Sequence, residues 1–165
     1  MHHRQPEREK RRKRGACIDP HGFDAGKLIK GKKRHILVDM QGLLLQAIVD
    51  SAGIQDRNGG ISLLATLCGQ FPFLAKLFAD SAYSGPIFNT ALAKILPDLK
   101  TEIVKRSDQA KGFVLLPKRW IVERTIAWLN RCRRLAKDWE NLNRNALAFL
   151  KLASIRLMLR KLCNP

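Results

Sequence analysis

The sequence predicts an α/β domain, with helices packed against a mixed sheet and a helical C-terminal third. Three observations carry this. Short apolar, β-branched runs fill the first part of the chain, and each ends at an aspartate or a glycine-containing turn. Longer Leu-rich runs then alternate with short strand-like ones, and from residue 118 onward the apolar spacing is helical. The chain has 165 residues, 45% of them hydrophobic, which is enough to build the core of one domain.

The elements follow in order. Residues 16–18 are a short apolar segment ending in Asp19. Residues 35–38 run apolar to Asp39, and Gln41-Gly42 supplies a tight turn before the β-branched run 43–49. Two such runs joined by a short Gly-containing link read as an antiparallel hairpin. The run 61–67 is too long and Leu-rich for another edge strand, so it reads as a helix, with Asn58-Gly59-Gly60 as its N-terminal boundary. Residues 74–79 form a strand-like run ending at Asp80. Ser84-Gly85-Pro86 turns the chain into a helix over 87–96, stopped by Pro97. A short strand at 102–104 leads to the polar loop 106–112. Beyond it, Ile121, Thr125, Trp128, Leu129, Cys132 and Ala136 form an apolar helical stripe. Residues 138–145, with three asparagines, read as a break before a second, largely apolar helix over 146–162.

Charge narrows the partner. The chain carries 31 Lys+Arg against 14 Asp+Glu, a formal net charge of +17. So large an excess implies a polyanion, with nucleic acid ahead of an acidic membrane surface, and says nothing about fold. Residues 1–14 hold seven Lys/Arg against Glu7 and Glu9 with almost nothing apolar, and read as a disordered basic arm. Lys27, Lys30, Lys32, Lys33 and Arg34 make a second cluster. A third, over 118–137, has seven basic residues and one acid, Glu123.

Several classes are excluded. No window reaches the ~18 uninterrupted apolar residues of a membrane span. No apolar run follows the charged N-terminus as a secretory signal requires. Cys17, Cys68, Cys132 and Cys163 lack zinc-ligand spacing, and read as reduced, mostly buried thiols of a cytosolic protein. Gly31-Lys32-Lys33-Arg34-His35 is not a P-loop, and it reads either as a basic strand entrance contacting phosphates or as a solvated loop. The three tryptophans read as packing residues of the C-terminal helices.

Three acids stand out. Asp19 and Asp80 end strand-like runs, and Glu123 lies inside a strongly basic helix. Grouped carboxylates without a Cys/His cluster suit Mg²⁺ or Mn²⁺, and two such ions can activate the nucleophile and stabilise the leaving oxygen of a phosphodiester. Arg119, Glu123, Ala127, Asn130, Arg131 and Arg134 share one helix face opposite much of the apolar stripe. Such a face could hold metal on the acid and phosphates on the guanidinium groups. It could equally be a solvated face with an Arg119–Glu123 surface pair worth little. Asp19 and Asp80, each taken alone, read as turn or helix-capping acids ahead of metal ligands.

Longer blocks carry a resemblance. Phe23-Asp24-Ala25-Gly26-Lys27, the stretch from Lys32 to Asp39, Ile54-Gln55-Asp56-Arg57, Phe78-Ala79-Asp80, Val122-Glu123-Arg124-Thr125 and the stretch from Trp128 to Leu135 occur in order. Together they resemble the Asp-Asp-Glu (DDE) transposases of the insertion-sequence-five-like group over most of residues 16–163. The resemblance implies a ribonuclease-H-like catalytic domain over 15–163 and two divalent ions, Mg²⁺ or Mn²⁺. It also implies cleavage at the transposon end and strand transfer into target DNA. Asp80 matches the second acid, Glu123 the third and Arg119 the basic residue upstream of it. Asn130 stands where the family has a lysine, a role open to Arg131 or Arg134. Lys27, Lys30, Lys32, Lys33, Arg34, Arg119, Arg124, Arg131 and Arg134 would contact the DNA backbone. The implied setting is a cytoplasmic, nucleoid-associated protein, working as a homodimer and away from membranes.

The first acid is where the chain departs from the family. Asp19 is followed at once by Pro20-His21-Gly22-Phe23, without most of the connecting segment relatives have there. Asp19 is either the first metal ligand at an abrupt junction or an accident of deletion, with Asp39 a poorer substitute. Ser81-Ala82 stand where relatives carry paired glycines, and the region with which relatives help recognise transposon ends reads as absent or replaced by the basic arm. The expectation is a truncated copy, either catalytically competent or a remnant that only binds DNA.

Overall fold

The long basic and apolar run after Gly26 forms the organising strand of the molecule. The computed structural model describes residues 18–19, 22–104 and 118–163. The expected arm 1–14, the apolar residues 16–17 and the loop 106–112 lie outside them. The strands are β1 (Gly22–Asp24), β2 (Ile29–Val38), β3 (Leu44–Ser51), β4 (Lys76–Ala79) and β5 (Lys100–Ile103). The helices are α1 (Asp56–Ala65), α2 (Pro86–Ile95), α3 (Arg119–Asn130) and α4 (Asn143–Cys163), with 3₁₀ turns at Ser81–Tyr83 and Arg133–Leu135. No helix among the described residues is long and apolar enough to cross a membrane.

The hairpin is present, and it starts earlier than the apolar pattern implied. β2 pairs antiparallel with β3 from Lys32↔Ser51 to Val38↔Leu44, so the cluster Lys32-Lys33-Arg34 lies in the strand and is not a solvated loop. Its turn is set by Asp39, whose Oδ1 accepts the N–H groups of Gln41 (2.9 Å) and Leu43 (2.8 Å). Gly42 completes it at φ +83°, where a side chain would be strained and a Cβ would meet the Thr125 hydroxyl.

The single mixed sheet expected from the sequence resolves into two among the described residues. β1, β2 and β3 form one antiparallel sheet, and β4 and β5 form a separate parallel pair. Ile18 and Asp19 belong to no strand. The Asp19 N–H donates to the Asn141 carbonyl at 3.1 Å, in the loop before α4, which takes it away from a sheet ladder.

Strand alternation then divides the core. Side chains of β2 alternate between the two faces of its sheet. Ile36 packs with Ala47, Leu129, Leu135, Leu150 and Ala153, the core under α3 and α4. Leu37 packs with Leu64, Leu67, Phe88, Leu92 and Leu99, the core under α1 and α2.

α1 differs from its expected boundary for a packing reason. Asn58-Gly59-Gly60 lies inside the helix, two residues and more past its start at Asp56. A Cβ on Gly59 would lie 2.2 Å from His35 Nε2, and one on Gly60 would lie 2.6 Å from the Tyr83 ring. The glycines let the helix close onto β2 and the 3₁₀ turn, and this contact outweighs their poor helix propensity. In α3, the stripe Ile121, Thr125 and Leu129 is buried as expected, but the helix stops at Asn130. Leu135, not Ala136, completes the buried row. Cys68 and Cys163 are exposed and Cys132 is half-buried, against the expectation of mostly buried thiols.

Two predictions follow from the α1–β2 contact. In an isolated helix Gly→Ala stabilises, but Gly59→Ala should destabilise by about 1–3 kcal/mol in urea unfolding, because the methyl enters the imidazole. His35 is 5% exposed, its Nε2 has no hydrogen-bond partner, and burial holds its pKa below the ordinary value. The unfolded chain therefore binds the proton more readily. Stability should be intact above about pH 6.5 and decline as pH falls below it. Urea midpoints between about pH 7.5 and 5 should show this decline, and His35→Gln should flatten it.

Candidate nucleic-acid interface

The three candidate acids occupy three different structural settings. Asp19 Oδ2 accepts the backbone N–H of Asn143, the first residue of α4, at 2.5 Å. Together with its own N–H bond to Asn141, this makes it a tertiary cap for a helix whose first N–H groups lack intrahelical partners. Asp80 directly follows β4 and caps the 3₁₀ turn after it, Oδ1 accepting from Ala82 N–H at 2.9 Å. Glu123 stands on the exposed face of α3. Asp39, the alternative first acid, is engaged in its own β-turn.

The alternation of β2 separates its basic cluster. On one face, Lys32 Nζ donates to the carbonyls of Glu140 and Asn141, each at 2.9 Å. On that same face, Arg34 donates to Leu135 O at 2.8 Å and to Asn130 Oδ1 at 3.3 Å. Burial lowers the Arg34 pKa, with Asp138 opposing the shift. On the other face, Lys33 Nζ meets Asp24 at 2.8 Å, Asp56 at 2.9 Å and the Ile54 carbonyl at 2.9 Å. Burial works against the charge on Lys33, but its bonds to Asp24 and Asp56 outweigh this and raise its pKa. Lys27 stands 3.6 Å from Asp56 and is largely exposed, and Lys30 is exposed on the strand between.

That ion cluster adjoins Asp80 through one ring. Tyr83 packs on Gly60 of α1, and its hydroxyl is pushed up to about 12 by burial, with Asp56 and Asp80 adding to the effect. Asp56 and Tyr83 are therefore neighbours of Asp80's electrostatic environment that residue-type reasoning did not single out. The signal for Asp56 lay in the Ile54-Gln55-Asp56-Arg57 block.

The basic helix also redistributes its roles. Arg124 stacks between the rings of Trp120 (4.1 Å) and Trp128 (4.7 Å) and donates to the Gln41 carbonyl at 3.2 Å. Lys161 donates to the same carbonyl at 2.7 Å, so two cations clamp the hairpin turn against α3 and α4. Arg134 pairs with Glu140 and lies over the Phe149 ring. α3 ends before Arg131 and Arg134, so these two do not continue the helix face that carries Glu123. The Arg119 side chain lies outside the described residues. Trp139 is 56% exposed, unlike the packed Trp120 and Trp128. Besides Arg134, the exposed cations around the end of α3 are Arg131, Arg133 and Lys137, with Arg144 at the start of α4. Arg133 and Lys137 belong to the basic cluster over 118–137, where spacing does not reveal that the chain turns.

Among the described residues, no three or more His, Cys, Asp or Glu side chains are grouped to hold a metal ion. Asp19, Asp80 and Glu123 are accordingly not gathered into such a group among the described residues.

The chain matches the transposase DDE domain family over residues 2–158 and belongs to it. Enzymes of this family generally use divalent metal ions. A relative from Burkholderia cepacia, named as a candidate transposase for insertion sequence element IS402, is 32% identical over 133 residues. The match takes in 74% of this chain and 60% of the relative, so the chain spans about 60% of that protein's length. No solved structure matches the chain.

The capping role of Asp19 can be measured. Asp19→Ala should lower unfolding stability by about 0.5–2 kcal/mol, whereas Asp19→Asn, an equally good cap, should keep most of it. Equal stability of all three proteins in urea titrations would mean that the cap contributes nothing.

Proposed function

We propose that this chain binds DNA non-specifically through its basic surfaces, as a remnant of a DDE transposase that does not itself cleave or join strands. Family membership supports the DNA partner, and a net charge of +17 supports backbone contact. The observation that carries the reading is the Asp19 carboxylate, engaged with the first N–H of α4. On this reading, residues 15–163 are a shortened ribonuclease-H-like catalytic domain whose first acid serves the fold. Asp80 and Glu123 match the family's second and third acids, and the acid that would complete the set is engaged in the fold. Lys27, Lys30, Arg131, Arg133, Lys137 and Arg144 make the phosphate contacts. Lys32, Lys33, Arg34 and Arg124 act indirectly, by holding the elements that present them.

Binding and chemistry separate in two assays. Labelled duplexes of unrelated sequence should bind alike, with affinity falling steeply as salt rises. Arg131→Ala, Arg133→Ala and Lys137→Ala combined should weaken binding on every duplex and reduce the log–log salt slope by about 3. Pre-cut insertion-sequence ends incubated with Mn²⁺ and target DNA should yield no joined product. Metal-dependent joining that disappears in both Asp80→Ala and Glu123→Ala would overturn the remnant reading and establish the catalytic one.

A further inference from the structure

Among the described residues, α4 is covered on one side only. Ala146, Leu150, Ala153 and Ser154 are buried. On its outer side Leu152, Ile155, Leu159 and Leu162 are 60%, 50%, 54% and 78% exposed. Their spacing of three, four and three residues is the spacing of a coiled-coil seam, in which knobs from a second helix would fit. Arg156 and Arg160 line the same shallow depression as Leu152, Ile155 and Leu159. Scattered exposed leucines need no explanation, but four in register along three turns of one helix form a contiguous patch.

The charge pattern selects the occupant. α4 carries Arg144, Lys151, Arg156, Arg160 and Lys161 and not one Asp or Glu. Flanking charges of a helical seam set partner choice, because like charges brought together along it repel. A second copy of this chain would set one basic helix against another. Duplex DNA would satisfy the arginines and leave the leucines in water. We infer that the outer seam of α4 docks an amphipathic helix of another protein, with apolar residues on its seam and acidic residues flanking it. This inference does not depend on whether the chain cleaves DNA.

The probe is a fluorescein-labelled synthetic helix with Leu at the seam positions and Glu at the flanking ones, titrated into the full chain by anisotropy at about 0.15 M salt. A second peptide carries Lys at the flanks. The protein variant is Ile155→Gln with Leu159→Gln, which keeps every charge and alters only exposed positions. The expected result is saturable binding of the Glu peptide, weakened about tenfold or more by the double substitution and likewise by the Lys flanks. Duplex DNA affinity of the double variant should stay unchanged. Equal binding of the Glu peptide to both proteins would reduce the contact to net charge and overturn the inference. So would equal binding of the two peptides. A dimer in sedimentation that the double variant splits would give the seam to a second copy instead. A matching loss of DNA affinity would give it to nucleic acid.

Discussion

The ammonium of Lys33 joins four parts of the chain at one point. It bonds Asp24 at the end of β1, Asp56 at the start of α1 and the Ile54 carbonyl between β3 and α1, while its own backbone lies in β2. Half-buried carboxylates facing each other would repel, so the lysine is what allows Asp24 and Asp56 to converge. Its bond holds the Asp24 carboxyl below its ordinary pKa. Partial burial acts the other way on Asp56, yet Lys33 and Lys27 keep that carboxyl low as well. Removing one member of such a set is costly because the others remain charged and partly desolvated. The α1 N-terminus is thereby held over β2, which is where Gly59 must meet His35 and Gly60 must meet Tyr83.

From that strand the rest of the architecture follows by alternation. Successive β2 side chains point to opposite faces. Lys33, His35 and Leu37 serve the α1–α2 side, while Lys32, Arg34 and Ile36 serve the α3–α4 side. A run that looks like one positive patch in the sequence is therefore two sets of structural cations. Lys32 and Arg34 donate to loop carbonyls at 135, 140 and 141, the last of which also accepts the Asp19 N–H. Much of the positive charge that faces solvent lies elsewhere, at Lys27 and Lys30, at the turn after α3 and along α4.

The same economy governs the acids. A carboxylate near a helix N-terminus is stabilised by the unpaired N–H groups there and stabilises the helix in return. Asp19 takes that role for α4, and through Asn141 and Asn143 it fixes the N-terminal segment beside the loop that Lys32 also holds. Asp80 and Asp39 similarly cap local turns. In a chain of the DDE transposase family, the position of a carboxylate in the sequence and its use in the fold are thus separate matters.

The sequence by itself determined the α/β class, the hairpin over β2 and β3, the helices α2 and α4, and the family, because these rest on local periodicity and on ordered residue blocks. Its account of α1 began late because glycine reads as a breaker, and only the close approach of His35 and Tyr83 makes glycine the residue that fits. Its helix face joining Glu123 to Arg131 and Arg134 assumed that α3 continues, but a 3₁₀ turn from Arg133 bends the chain so that Leu135 can enter the core. Only the tertiary structure decided which charges are engaged and which are free. Hydrogen-bond partners such as Asn143 for Asp19 or Leu135 for Arg34 lie about a hundred residues away, and no local pattern encodes a contact at that separation.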